Sequence, residues 1–135
     1  MWEWSLNWSE MRDDLLIGSC PISVEDLSRI KNESGASAVL SLQTDECRAA
    51  FGIDIDLLRA HAQEIHLTMA NAPMRDFDPP DQRRNLPNAV RQLTRLLGNG
   101  HRVYLHCTAG INRAPLTALG YLTFVERHTP EEAMR

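Results

Sequence analysis

The sequence predicts an α/β domain built on a mainly parallel central sheet flanked by helices. Short apolar runs typical of buried strands alternate along the chain with stretches whose apolar residues recur at helical spacing. The predicted strands cover residues 15–17, 38–42, 65–69 and 103–105. No internal repeat, low-complexity tract or domain boundary interrupts the 135 residues, an ordinary length for one domain with its own core. We therefore expect residues 1–135 to form a single domain.

Composition and charge exclude several classes of function. Hydrophobic residues make up 43% and charged residues 24% of the chain, as in soluble globular proteins. Acidic residues exceed basic ones by 18 to 14, which argues against wholesale nucleic-acid binding. The N-terminus lacks the basic and apolar regions of a signal peptide, and no stretch approaches the roughly 20 apolar residues of a membrane span. Three cysteines make no disulfide framework, and we expect a cytoplasmic protein without a membrane partner.

The first 42 residues predict a strand, a helix and a second strand. All three tryptophans precede the first strand, and we expect them to pack on the edge of the sheet. In the helix that follows, Ser23 is placed to cap the N-terminus and Asp26 to return the hydrogen bond. Ser34 and Gly35 end this helix.

Besides the helix that Arg113 opens, the middle and end of the chain predict three further helices. Residues 47–52 are predicted as a loop or short turn, and residues 53–64 as a helix. A polar loop with three prolines is predicted over residues 71–85, followed by an amphipathic helix over residues 86–97. A last helix opens at Thr129 and is cut off at the end of the sequence, which indicates a truncated chain.

The strongest functional pattern follows the last predicted strand. It reads His106, Cys107, Thr108, Ala109, Gly110, Ile111, Asn112, Arg113. A loop of this length can curl until successive backbone N–H groups point inward and form a nest for a dianion, and a cysteine on its rim would be a thiolate near neutral pH. Arg113 opens a helix whose positive dipole end points at the same centre, and its guanidinium can hold two phosphate oxygens. We call residues 107–113 the anion loop; an inert buried cysteine is the alternative reading.

Together with the preceding strand, the glycine and the following helix, this pattern resembles the active-site loop of the cysteine-dependent phosphatases, the protein tyrosine and dual-specificity phosphatases. The resemblance implies their fold, a Cys107 nucleophile and an Arg113 that binds phosphate. It also implies a phosphate-binding loop formed by residues 108–113, in which His106 supports the loop by hydrogen bonds. Neither a metal ion nor another cofactor is expected.

These families use an aspartate from a separate loop as general acid, about thirty residues before the cysteine. Asp76 lies 31 residues before Cys107 (107 − 76) and is the preferred candidate, with Asp78 and Asp81 left open. The string Arg-Asp-Phe-Asp at residues 75–78 resembles the acid loop of one branch, the plant glucan (starch) phosphatases and laforin.

The resemblance to this glucan branch runs from about residue 8 to residue 127. By position it makes Phe51 and Phe77 candidates for stacking on sugar rings, with simple loop packing as the alternative. Asn112 replaces the usual glycine of the branch, and Ala50 replaces a second aromatic residue. The sequence thus predicts a phosphomonoester hydrolase with a cysteinyl-phosphate intermediate, acting on phosphorylated glucan. A protein phosphatase of dual specificity acting on phosphoproteins and a pseudophosphatase that only binds phosphate or glycan are the alternatives.

Overall fold

A five-stranded, mostly parallel sheet forms the centre of the structure, a computed structural model that describes residues 5–75, 78–107 and 113–125, with side chains in the last segment for residues 114–123 only. The strands are β1 (Trp8–Arg12), β2 (Leu15–Gly18), β3 (Ala38–Ser41), β4 (Thr68–Asn71) and β5 (Val103–His106). The helices are α1 (Val24–Arg29), α2 (Asp45–Ala50), α3 (Ile55–Glu64), α4 (Pro79–Gly98) and α5 (Arg113–Gly120). Single π-helical turns, Ile30–Ser34 and Tyr121–Val125, extend α1 and α5.

The strand order of the sheet is β1-β2-β5-β3-β4. Strands β2, β5, β3 and β4 are parallel, and β1 runs antiparallel to β2 at one edge. The predicted α/β fold with a mainly parallel sheet is confirmed. Because the carboxyl ends of parallel strands meet at one edge of a sheet, the residues that follow β3, β4 and β5 lie side by side.

Helices cover both faces of the sheet, and alternate residues of β5 face opposite layers. Val103 and Leu105 belong to the cluster formed with α4 and α5, whereas Tyr104 belongs to the cluster formed with α1 and α3. All three are fully buried. This alternation is the two-residue period of a strand covered on both sides, and it accounts for the continuous apolar run in the sequence.

The first strand was not predicted. Four of its five residues are polar or exposed, so the segment shows no alternation of apolar and polar residues and its sequence is typical of a loop. Trp8 opens β1, and its ring meets the ring of Tyr104 edge-on, with centroids 6.1 Å apart. Packing of Trp8 at the sheet edge is thereby confirmed, while the other two tryptophans lie outside the described residues.

The capping prediction for α1 is confirmed. The Ser23 hydroxyl accepts a hydrogen bond from the Asp26 N–H at 3.3 Å, and the Asp26 carboxylate accepts one from the Ile22 N–H at 3.0 Å. The return bond therefore reaches one residue further back than in a standard capping box. Gly35 follows the π turn with a φ of 76°, the left-handed conformation that ends helices and favours glycine.

The prediction of a loop over residues 47–52 was wrong, because most of this segment belongs to α2. The Thr44 hydroxyl caps the helix by accepting from the Cys47 N–H at 3.2 Å, and Asp45 and Glu46 place negative charge in its first turn. The helix has only six residues, too few for an amphipathic period to be visible in the sequence.

The strand predicted over residues 65–69 begins later than expected. Ile65 caps α3, and His66 has a φ of 58°, so the chain turns before it can extend. Strand β4 therefore starts at Thr68, opposite Ala38 of β3.

The polar loop is shorter than predicted because α4 starts at Pro79 rather than at residue 86. Asp78 is its N-cap, and the next two positions, both proline, need no N–H donor in the first helical turn. The prolines were interpreted as loop residues, although their place after an aspartate is typical of a helix start.

Among the residues that the structure describes, none of the helices combines the length and the apolar character that a membrane span needs.

Tyr104 links β5 to the end of β2. Its hydroxyl donates to the Ser19 carbonyl oxygen at 2.7 Å. The space for this hydroxyl exists because residue 18 is glycine: a Cβ at Gly18 would lie 2.1 Å from it, far inside van der Waals contact. The close approach of β2 and the tyrosine therefore requires a residue without a side chain.

We predict that Gly18→Ala lowers the free energy of unfolding by about 1–3 kcal/mol, because the added methyl must displace the tyrosine. Gly98→Ala is the matched control, since nothing lies within 4 Å of a Cβ at that helical position. Guanidinium unfolding monitored by circular dichroism measures both. Equal midpoints for the two variants would contradict the prediction.

Burial raises the pKa of the Tyr104 phenol above its usual value of 10.0, because desolvation disfavours the charged phenolate. Above about pH 10 the phenol ionises in the unfolded chain but stays protonated in the folded one, so the free energy of unfolding falls as pH rises. We expect Tyr104→Phe to weaken this fall. Denaturant titrations of both proteins between about pH 8 and 11 test it, and parallel pH profiles would refute it.

Candidate active site

Cys107 directly follows β5, between the ends of β2 and β3. Only 2% of its surface is exposed, and it shares a core cluster with Leu42 and Ala114. Helix α5 begins at Arg113. The strand and the helix that flank the anion loop therefore lie where the sequence predicts them.

Several predicted site residues lie outside the described residues. They are Asp76, Phe77, Thr108, Ala109, Gly110, Ile111, Asn112 and the side chain of Arg113. Their roles stay predictions, and the described groups around them define the surroundings of the site.

Two hydrogen bonds hold His106, one made by its side chain and one by its backbone. Its Nδ1–H donates to the Cys107 carbonyl oxygen at 2.9 Å, and its own carbonyl oxygen accepts from the Leu42 N–H at 2.9 Å. The imidazole is 2% exposed and lies against Tyr104, with ring centroids 6.1 Å apart. Such a buried ring, used in a local hydrogen bond, is suited to ordering the start of the anion loop.

Backbone hydrogen bonds bring a second loop to the same edge of the sheet. We call residues 72–78 the acid loop. The Ala72 N–H donates to the Ser41 carbonyl at 2.8 Å, and the Met74 N–H donates to the Leu42 carbonyl at 3.1 Å. Because Leu42 also donates to His106, the three chain segments are joined in one row. Met74 is fully buried in the cluster that contains Cys107, so the acid loop is anchored two residues before Asp76.

Two of the three candidate acids have structural partners. The Asp78 carboxylate accepts from the Asp81 N–H at 3.1 Å and caps α4. The Asp81 carboxylate accepts from the Arg75 N–H at 2.8 Å. The Asp78 carboxylate thus binds the first turn of α4, and the Asp81 carboxylate binds the backbone of the acid loop.

Sequence reasoning missed Gln82 and Arg48. The Gln82 side-chain amide donates to the Arg75 carbonyl oxygen at 3.0 Å, and the residue is 7% exposed. The buried Arg48 guanidinium donates to the Gln43 carbonyl at 3.3 Å and pairs with Asp45. Recognising the true starts of α2 and α4 is what would have placed both residues near the site.

Phe51 lies at the C-terminal end of α2 and is half-buried. The same helix contacts the acid loop through Glu46, whose carboxylate lies 3.7 Å from the Arg75 guanidinium. This ion pair is exposed and contributes at most about 1 kcal/mol. It shows that the first turn of the helix that ends at Phe51 lies within side-chain reach of the acid loop.

Comparison with known families decides the classification. The family described as "polymorphic toxin system, DSP-PTPase phosphatase" matches residues 20–125. The chain belongs to this dual-specificity phosphatase family.

Relatives of this phosphatase family match most of the chain. They include the amyloplastic phosphoglucan phosphatase DSP4 of Castanea sativa, 35% identical over 133 residues, and the chloroplastic phosphoglucan phosphatase LSF1 of Arabidopsis thaliana, 32% identical over 117 residues. Mouse laforin is 30% identical over 131 residues. The matches cover 97%, 87% and 90% of this chain, which spans 35%, 20% and 40% of the respective relatives. The resemblance to the glucan phosphatase and laforin branch is confirmed.

Solved phosphatase structures share the fold. The kinase-associated phosphatase KAP has a TM-score of 0.74 at 18% identity, with 96% of this chain and 79% of that one covered. Tk-PTP in its active form has a TM-score of 0.73 at 17% identity, covering 94% of this chain and 79% of that one. The predicted protein tyrosine/dual-specificity phosphatase-like fold is therefore confirmed.

We predict that His106→Leu weakens the binding of tungstate, a dianion of phosphate-like charge, by about fivefold. The substitution removes a hydrogen bond that stabilises the start of the anion loop by about 1 kcal/mol. His106→Asn keeps a donor and should lose less. Isothermal titration calorimetry on the three folded proteins measures this, and equal affinities would argue against a loop-ordering role.

Proposed function

We propose that this chain hydrolyses phosphate monoesters through a cysteinyl-phosphate intermediate. The observation that carries the proposal is the place of Cys107, at the carboxyl end of the central strand β5 with α5 opening at Arg113. A nucleophile between a strand end and a helix N-terminus faces a region of positive potential suited to a dianion.

In the first step the Cys107 thiolate attacks phosphorus in line, and the phosphorus–oxygen bond to the leaving group breaks. Backbone N–H groups of Thr108 to Arg113 and the Arg113 guanidinium hold the equatorial oxygens while charge redistributes. His106 orders the loop and takes no part in proton transfer.

Asp76 donates a proton to the leaving oxygen as the bond breaks. It then accepts a proton from the water that attacks the phosphocysteine and releases phosphate. Two observations support Asp76 over the other candidates. Asp78 and Asp81 already bind backbone N–H groups, of Asp81 and Arg75 respectively, and Met74 anchors the loop to the row that includes His106.

We propose phosphorylated glucan as the substrate. The phosphoglucan phosphatase relatives support this class, as does Phe51, which ends the helix whose first turn contacts the acid loop. Phe51 and Phe77 would stack on sugar rings there.

A role in carbohydrate metabolism follows from this substrate. The thiolate nucleophile fits a reducing compartment, and we propose the cytoplasm.

A dual-specificity protein phosphatase is the second candidate. Ala50 favours it, because the exposed position before Phe51 carries only a methyl group and offers no second stacking surface. Asn112 adds a side chain to the anion loop, which would narrow the approach for a bulky polymer.

Phosphate release from phosphorylated amylopectin, a phosphotyrosine peptide and a generic aryl phosphate tests these functions. We expect release from all phosphatase substrates to fall by about a thousandfold or more in Cys107→Ser, as expected when a covalent nucleophile is lost. Cys47→Ser is the matched control, because it changes a cysteine outside the site and should retain activity.

A rate of phosphate release from the polymer that is similar to the rate from the aryl phosphate, and that is lost in Cys107→Ser, would support the glucan assignment. Turnover of aryl phosphate and peptide without polymer release would favour the protein phosphatase. No release from any substrate would overturn the enzyme assignment and leave a phosphate- or glycan-binding pseudophosphatase.

A further inference from the structure

We propose that Gln82, assisted by Asp81, is a positioning residue for the general acid. Both side chains bind the backbone of Arg75, the residue directly before Asp76, and hold the acid loop against the first turn of α4. The inference rests on the proposed phosphatase function and adds to it a group that acts through Asp76.

The contacts fix Arg75 on both sides of its Cα atom. Its N–H donates to the Asp81 carboxylate at 2.8 Å, and its carbonyl oxygen accepts from the Gln82 amide at 3.0 Å. That carbonyl belongs to the peptide group that continues into Asp76. Because a peptide group is planar, a bond to its oxygen also sets the direction of the next residue's backbone.

The platform that makes these contacts is itself rigid. The Asp78 side chain accepts from the Asp81 N–H at 3.1 Å, and the Asp78 carbonyl accepts from the Gln82 N–H at 2.9 Å. The Asn85 amide donates to the Asp81 carbonyl at 3.0 Å. Gln82 is 7% exposed, so little water is available to replace its bond to Arg75.

The side chain of Arg75 adds little to this arrangement. Its ion pair with Glu46 is 3.7 Å long and exposed on both partners, whereas the two backbone contacts are short and the one from Gln82 is partly buried. A general acid acts only within hydrogen-bond reach of the leaving oxygen, and a misplacement of about 1 Å can cost two orders of magnitude in rate. Loss of the Gln82 contact should therefore affect the proton-transfer step first.

Gln82→Met tests this, since methionine has a similar length but no donor. The measurement is kcat/KM for aryl phosphates whose leaving phenols range from strongly to weakly acidic; this parameter reports the first chemical step and is independent of phosphocysteine breakdown. We expect a loss of about tenfold or more for phenyl phosphate, which needs a proton, and little change for 2,4-dinitrophenyl phosphate.

Gln92→Met is the matched control. Gln92 lies on the same helix, and its amide donates to the carbonyl of Asn71 at 3.1 Å, the same type of bond to a residue five positions before Asp76 (76 − 71). Gln92→Met should leave the dependence of kcat/KM on the leaving group unchanged. Asp81→Asn, which keeps an acceptor for the Arg75 N–H, should retain more activity on phenyl phosphate than Asp81→Leu.

A double-mutant cycle separates positioning from general destabilisation. In the Asp76→Asn background, Gln82→Met should cause no further loss, because the group through which it acts is gone. Equal losses on all aryl phosphates, or a full additional loss in Asp76→Asn, would overturn the inference. If Gln82→Met does not fold, the Asp81 pair gives the same comparison.

Failure of the proposed function has a different signature. A wild-type chain that turns over none of the aryl phosphates, or a Cys107→Ser variant that retains turnover, would overturn the phosphatase assignment and this inference with it. A wild-type chain that is active and sensitive to the leaving group, with Gln82→Met behaving like Gln92→Met, would overturn the inference alone.

Discussion

The candidate site depends on the backbone of one residue at the end of β3. Leu42 donates to the carbonyl of His106 and accepts from the N–H of Met74, so it joins the chain leading to Cys107 with the chain leading to Asp76. These two segments are about thirty residues apart in sequence, and no local interaction could bring them together. The parallel sheet does so because all its strand ends share an edge, and the ladder of hydrogen bonds continues past the strands into the loops.

Packing reinforces this row of hydrogen bonds. Leu42, Met74 and Cys107 belong to one apolar cluster, together with Ala114 at the start of α5. A buried thiol, a loop anchor and a helix start thus share the same neighbours. Interiors of this kind are densely packed and transmit small displacements, so the spacing between Cys107 and the anchor of the acid loop at Met74 is tied to the core.

The sequence alone predicts the central part of this arrangement well and its borders poorly. Strand β5 and the start of α5 are predictable because an apolar run ends in a pattern with a chemical reason for each position. Strand β1 is not, because three of its five residues are exposed and its pairing with β2 leaves no periodicity in the sequence. Helix α2 is too short to show a period, and the prolines before α4 signal a loop as strongly as a helix start. The contacts of Gln82 are tertiary and follow only from the correct start of that helix.

The first turn of α4 follows the acid loop and also binds the backbone of Arg75, which restricts the number of residues in that turn. The helix cap at Asp78 and the amide of Gln82 must keep their spacing for the amide to meet Arg75. One residue inserted between them would turn the amide by about 100° around the helix axis and direct it away from the loop. Substitutions that keep the cap are compatible with this geometry, whereas insertions and deletions are not. Relatives that position their acid in this way are therefore expected to differ in this turn in the type of residue but not in the number of residues.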